Sequence, residues 1–309
     1  MKRLHANGLL VLTAFIWGTT FVVQQVGTGG LQAISFTGAR MLAGGFFVLP
    51  FALHQYFALK KSGSSISSAD WYGIAATGLV LLSAGALQQF GIFHTTVTNA
   101  GFLTALYVPL VPVISFFVLR RTIHWVVWPA ALCCVGGTYI MSGTTGLSLQ
   151  FGDSWVVGSS FFWAIHVILV GTMAGRTRAP LVVACGQFMV CGIGGLVLGA
   201  IVEHPRAADF HSAWFGILYA GLFSTGIAFT LQVIGQRYTH EADAAIILSL
   251  ETVFAAMAGF IILGERLSAV RTAGAVIILA AVLAVQLVPY AQRRSRILHD
   301  AKRSRQGDN

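Results

Sequence analysis

Thr13-Ala14-Phe15-Ile16-Trp17-Gly18 recurs as Ser159-Ser160-Phe161-Phe162-Trp163-Ala164, an offset of 146 residues (163 against 17). A second anchor agrees. Trp71-Tyr72-Gly73-Ile74, with Gly78 and Gln89, returns as Trp214-Phe215-Gly216-Ile217, with Gly221 and Gln232, at an offset of 143 (214 against 71). So small a drift marks a duplication, which divides the chain into a first copy over 1–148, a second over 149–290 and a basic tail over 291–309. The seam falls near 143–153, where Ser142-Gly143-Thr144-Thr145-Gly146 and Gly152-Asp153 interrupt the apolar pattern with turn formers.

Composition sets the solvent. With 56% hydrophobic and 9% charged residues and a mean hydropathy of +0.78, the chain has too little polar surface to cover a soluble domain. Apolar runs of bilayer-spanning length fall near 7–26, 32–59, 70–92, 97–119, 123–142, 154–174, 180–202, 212–234, 242–263 and 268–290. The expected fold is therefore an all-α polytopic membrane protein of about ten transmembrane helices. Five spans per copy is an odd number, so the second copy is expected to sit inverted relative to the first. Inverted repeats place a substrate site at their interface near the bilayer midplane, which is a transporter's layout.

Charge placement gives orientation. With the N-terminus in the cytoplasm, Lys2, Arg3, Lys60, Lys61, Arg120, Arg121, Arg176, Arg178, Arg237 and six tail residues lie inside, fifteen of the nineteen Lys and Arg. Arg206, Arg266 and Arg271 fall at outer ends. This is the positive-inside pattern of an inner-membrane protein with both termini cytoplasmic. The net charge of +9 therefore reads as an orientation signal attracted to anionic lipid, and no nucleic-acid partner is expected. The first apolar run carries Trp17, Gln24 and Gln25 and no convincing cleavage site, so it reads as a span and not as a signal peptide. Cys133, Cys134, Cys185 and Cys191 lie inside expected spans without ligand spacing to histidine, so neither a metal nor any other cofactor is expected.

Ionisable groups inside a membrane are costly and mark function by default. Arg40 lies within the second span and Glu251 near the middle of the ninth. Two readings stay open: scaffolding, as a buried pair or as separate pairs with backbone carbonyls and waters that fix helix registry, or groups facing a water-filled cavity, Arg40 contacting an anionic group and Glu251 acting as cation partner or proton carrier. Their mates in the other copy are polar too, Gln187 opposite Arg40 and Tyr107 opposite Glu251. Thr13, Trp17, Thr20 and Gln24 share one helical face, as do Ser159, Trp163 and His166 in the repeat. Those faces suit either a cavity wall or helix packing, and His166 either a proton relay or an interhelical hydrogen bond. The candidate substrate-binding residues are thus Trp17, Thr20, Arg40, Tyr107, Trp163, His166, Gln187 and Glu251. Gln88, Gln89, Asn99, Thr104, Ser224, Thr225, Gln232, Asp243 and Ser249 are further polar groups within spans. Pro109 and Pro112 permit bending of the fourth span, and glycines such as Gly192, Gly194, Gly195 and Gly199 allow close helix approach.

Phe15-Ile16-Trp17-Gly18-Thr19-Thr20-Phe21, Ala39-Arg40-Met41, Leu250-Glu251-Thr252-Val253-Phe254-Ala255-Ala256, Leu263-Gly264-Glu265-Arg266-Leu267-Ser268 and Gly274, together with the duplication, resemble the ten-span EamA-type transporters of the drug/metabolite transporter superfamily. The resemblance covers nearly the whole chain. Thr252 stands where that family commonly has proline, and Arg120-Arg121 where its Gly-Glu-Arg pattern would fall. The resemblance implies secondary movement of small organic molecules, often export of amino acids or other metabolites, without ATP. An alternative within transport is proton-coupled efflux of cationic lipophilic drugs, against which the Arg40 charge speaks. An intramembrane enzyme would need a nucleophile and base at one depth, and the nine histidines are scattered. No Walker loop is present for ATP-driven transport, and loops this short leave no soluble output domain for a sensor.

Overall fold

The computed structural model describes residues 3–95, 97–142, 151–263, 269–270, 272–274, 276–285 and 287–288. The seam around 143–150, the Gly264–Ser268 motif and the basic tail over 291–309 lie outside the described residues. The elements are α1 (Arg3–Val26), α2 (Ala33–Lys61), α3 (Ser68–Phe93), α4 (Val97–Thr104), α5 (Tyr107–Phe117), α6 (Val127–Ser142), α7 (Phe151–Thr177), α8 (Pro180–Val202), α9 (Ala207–Ser212), α10 (Trp214–Gln236), α11 (Glu241–Leu248), α12 (Leu250–Leu263) and α13 (Thr272–Val285). Among the described residues there is no strand. Helices are the open-ended structure that satisfies every backbone group within its own segment, which lipid demands.

Among the described residues, seven helical runs are long and apolar enough to cross a membrane: α1, α2, α3, α7, α8, α10 and the 241–262 run formed by α11 with α12. Three shorter apolar helices, Tyr107–Phe117, Val127–Gly137 and Thr272–Val285, lie where three more spans are expected. The continuous span expected over 97–119 is instead two pieces. Pro109 has no N–H to donate to the carbonyl of Ala105, and its ring crowds that carbonyl, so the helix breaks at Ala105–Leu106 and restarts at Tyr107. The corresponding run of the second copy also breaks, at Ser249, between α11 and α12. No proline is involved there. Ser249 Oγ donates to Ile246 O at 2.7 Å and Thr252 Oγ1 to Ser249 O at 2.9 Å, local side-chain bonds that compete with the regular ladder. The two breaks lie 144 residues apart (249 against 105), the offset that relates Glu251 to Tyr107.

Packing is closest where glycine permits it. Gly192, Gly195 and Gly199 of α8 face Ser35, Gly38 and Leu42 of α2, both sets at i, i+3 and i+7. A Cβ on Gly195 would lie 2.8 Å from Gly38 Cα, and one on Gly192 2.7 Å from the Leu42 nitrogen. This small-residue seam lets two backbones nearly touch. Gly194 faces elsewhere, its nearest neighbour being the tip of Leu82 at 3.4 Å. α3 starts with a capping box: the Ser67 hydroxyl accepts from Asp70 N, and the Asp70 carboxylate accepts from Ser67 N at 3.1 Å. None of the four cysteines is in a disulfide.

Within α10, residues Ala220–Phe229 adopt a π-helix. The wider winding turns carbonyls outward toward α1, where Thr13 Oγ1 donates to Ala228 O at 3.0 Å and Trp17 Nε1 to Ser224 O at 3.4 Å. Such insertions are rare and concentrate at functional sites. This one lies against the central cavity.

Candidate functional site: a central cavity

At the centre of the bundle is a small cavity lined by residues from both copies. α1 supplies Trp17, Thr20, Phe21 and Gln24, successive positions of one helical face. α2 gives Arg40, α3 Gln88, α4 Thr104, α7 Trp163 and Val167, and α10 Ser224, Phe229 and Gln232. Tyr107, the first residue of α5, and Glu251, the second of α12, enter from the two half-helices that restart after the breaks. Discontinuous helices are how a membrane protein brings polar groups and turned backbone to a midplane site. The cavity holds about 40 Å3, room for roughly three water molecules.

Its walls divide into aromatic and polar parts. Phe229 packs on Trp17 at 4.5 Å between ring centroids and stacks on Trp163 at 5.9 Å with 18° between planes. Gln88 Nε2 donates to Thr104 Oγ1 at 2.9 Å, tying α3 to α4. Arg40 is 2% exposed and Glu251 4%. Among the described residues neither makes an ion pair, and neither takes part in a side-chain hydrogen bond. The guanidinium lies beside Gly85, where a Cβ would meet Arg40 Nη2 at an ordinary 3.6 Å and Thr37 Cγ2 at a tighter 3.0 Å. The registry-pair reading of Arg40 and Glu251 is therefore not what the geometry gives: both charges face the same cavity without pairing. The Tyr107 hydroxyl and Trp163 Nε1 are likewise buried without a protein partner.

Of the eight candidate residues, Trp17, Thr20, Arg40, Tyr107, Trp163 and Glu251 come together around the cavity. His166 and Gln187 do not line it. They are fully buried behind it, His166 Nε2 and Gln187 Oε1 2.9 Å apart, with the imidazole edge-on to Trp163 at 5.6 Å and to Phe229 at 5.9 Å. The pair buttresses the aromatic wall. Phe21, Val167 and Phe229 carry no signal that separates them from ordinary apolar span residues. Gln24 is visible in the sequence on the Trp17 face of the first span, whereas Gln88, Thr104, Ser224 and Gln232 are visible only as polar residues inside spans.

A second, larger cavity of about 770 Å3 lies between helix ends and shares no lining residue with the first. Its rim includes Arg3, Arg120, Arg121, His124, Glu241 and Asp243. Arg3 pairs with Asp243, and Arg121 pairs with Glu241 at 2.6 Å while donating to Thr172 Oγ1 at 3.1 Å. Arg176 of α7 pairs with Asp70 of α3. Each of these three pairs joins the first copy to the second. No group of three or more metal-ligating side chains occurs among the described residues.

A family model described as the EamA-like transporter family matches twice, over residues 5–143 and 150–287. The chain belongs to this EamA-like transporter family. An Archaeoglobus fulgidus protein described as an uncharacterized transporter is 31% identical over 287 residues, covering 93% of this chain and 87% of its own length. The uncharacterized inner membrane transporter YedA of Escherichia coli K12 is 26% identical over 296 residues, 92% of this chain and 91% of YedA. The threonine/homoserine exporter RhtA of Salmonella typhimurium matches a shorter stretch, 30% identical over 134 residues, 42% of this chain and 43% of RhtA. A chain of known crystal structure superposes with a TM-score of 0.72 at 16% identity, over 92% of this chain and 97% of that one, a likeness of fold. This EamA-family chain is a multi-pass membrane protein and a transporter, as are the relatives it resembles.

Proposed function

We propose that the chain is a secondary exporter of small zwitterionic metabolites such as amino acids, working by alternating access in a cell inner membrane, with both termini cytoplasmic. The supporting observation is the pair of unmatched charges. Burying a guanidinium and a carboxylate without partners is costly, and sharing one cavity without touching leaves each for a group on a bound molecule. Arg40 takes the substrate's carboxylate, and Glu251 takes its ammonium group or, between cycles, a proton. Trp17, Thr20, Tyr107 and Trp163 shape the rest of the site, with His166 and Gln187 behind it.

Two inverted five-helix repeats, 1–148 and 149–290, account for the double family match, for the paired helix breaks and for a cavity built from both halves. In the described conformation the cavity is too small for an amino acid, so binding requires its walls to part, as alternating access demands. The three ion pairs that join the copies lie at the end where the basic residues collect, and they hold that end shut. The match to a threonine/homoserine exporter over 134 residues points the same way. Arg40 in the same cavity as Glu251 disfavours a lipophilic cation as substrate.

The test is flux of amino acids and of a cationic dye in proteoliposomes, with and without a pH gradient, in wild type, Arg40→Gln and Glu251→Gln. Gradient-driven amino-acid flux that disappears in Glu251→Gln, while substrate binding survives, supports a proton-coupled exporter. Dye flux that needs Glu251 but not Arg40 would replace this reading with drug efflux.

A further inference from the structure

We propose that Gln232 is the specificity-determining residue of the central cavity and selects substrates that carry an uncharged hydrogen-bonding group, a hydroxyl or an amide, beyond their zwitterionic end. The proposal rests on the reading of this cavity as the substrate site. Gln232 is 0% exposed and lines the cavity, and neither its Oε1 nor its Nε2 has a partner. Of the other buried glutamines, Gln24 at the far end of the cavity also leaves its Oε1 unpartnered, whereas four are employed. Gln236 Nε2 donates to Val167 O at 2.9 Å, Gln89 Nε2 to Gln24 O at 2.8 Å and Gln88 Nε2 to Thr104, while Gln187 meets His166. Gln89 is the repeat mate of Gln232, so the same position serves packing in one copy and faces the cavity in the other.

Depth along the bundle separates Gln232 from Arg40. α10 runs antiparallel to α1: Ser224 meets Trp17, Ala228 meets Thr13, and Gly235 lies against Leu10 and Ala6. Gln232 is therefore a turn or more nearer the α1 N-terminus than Trp17, at the opposite end of the cavity from Gln24. Arg40 lies toward that other end, its backbone carbonyl near Gly221. A substrate held through its carboxylate by Arg40 and through its ammonium by Glu251 extends its side chain past Trp163 and Phe229 toward Gln232. An amide offers two donors and an acceptor oxygen, so it serves a hydroxyl or another amide equally well. An apolar side chain leaves the buried amide unpaired, and sites built to hydrogen-bond reject isosteric analogues on that ground.

Threonine and valine are the discriminating probes, since they differ by a hydroxyl in place of a methyl group. KM and kcat for each would be measured in proteoliposomes holding the full chain, beside thermal stability, in wild type, Gln232→Leu, Gln232→Met and Arg40→Gln. The expected result is a wild-type preference for threonine of at least about tenfold in kcat/KM. In Gln232→Leu and Gln232→Met that preference falls to near unity through a raised threonine KM and a lowered valine KM, with a melting temperature equal to or above wild type. A role in packing alone predicts the reverse, lower stability with both substrates reduced in parallel, and that result overturns the proposal. If the Gln232 variants keep the wild-type preference while Arg40→Gln loses flux, the cavity stands as the substrate site and the assignment of Gln232 fails. If Arg40→Gln transports as wild type does, or wild type moves neither amino acid, the reading of the cavity fails and takes this inference with it.

Discussion

A single residue states the problem this chain solves. Arg40 is 2% exposed with its Nε unpartnered, in a helix whose other buried residues are apolar or small, Ser35 and Thr37 included. Among the described residues no ion pair and no side-chain hydrogen bond offsets the desolvation of its charge. Arg40→Met, which keeps the length of the stem and removes the charge, is therefore expected to raise stability by at least about 1 kcal/mol while abolishing amino-acid flux. Thermal unfolding in detergent beside proteoliposome transport measures both, and a fall in melting temperature would return Arg40 to a structural role. The charge was legible in the sequence because an arginine inside an apolar run has few reasons to be there, and so was Glu251. Whether the two pair was not legible, since it depends on how α2 and α12 are rotated, which spacing alone does not give. His166 shows the same limit. Its face was shared with Trp163, yet the cavity takes Trp163 and Val167 from α7, and His166, between them in depth, is rotated toward Gln187.

At the scale of elements, sequence periodicity located the helices but not their interruptions. Pro109 announced a weakness in the fourth span, whereas the break at Ser249 arises from two hydroxyls bonding local carbonyls, for which Ser and Thr in a membrane helix give only a weak signal. The π-helix over Ala220–Phe229 had no composition cue. Glycine faces were read correctly in kind and too generously in number. Gly195 sits in the α2–α8 seam and Gly194 does not, which makes a paired test. Gly195→Val forces the helices apart and is expected to cost about 1–3 kcal/mol, enough to lower the melting temperature by several degrees. Gly194→Ala meets Leu82 at ordinary contact distance and gains helix propensity, so stability rises by up to about 1 kcal/mol. Equal effects from the two substitutions would show that the seam is not what holds α2 to α8.

At the scale of the whole molecule, the ion pairs give the two halves a fastening at one end. Three of the four pairs among the described residues cross between copies, and the fourth, Arg206 with Asp209, is local to α9. Glu241 and Asp243 are buried to within 7% and 8% while their arginines are partly exposed. Solvent therefore weakens each pair to about 1 kcal/mol or less, which suits a contact that opens in the proposed alternating-access cycle. Both carboxylates sit in the first turn of α11, and the break at Ser249 separates that turn from the Glu251 end of the same run. Motion at the fastening can thus reach the cavity through a helix with a joint in it. Removing both carboxylates, Glu241→Gln with Asp243→Asn, releases α11 from α1 and from the segment after α5. A combined loss of about 1–2 kcal/mol shifts the closed-to-open ratio by about five- to thirtyfold. A cysteine in place of Leu10, which is 0% exposed and lies between the two cavities against Gly235, reports that shift once the four native cysteines are replaced by alanine. Its labelling by a water-soluble thiol reagent is expected to quicken by about that factor in the double variant, and to quicken in the parent as ionic strength rises, because exposed partners are screened. Labelling indifferent to both changes would mean that the apolar contacts of α1 with α10, and not the ion pairs, close this end.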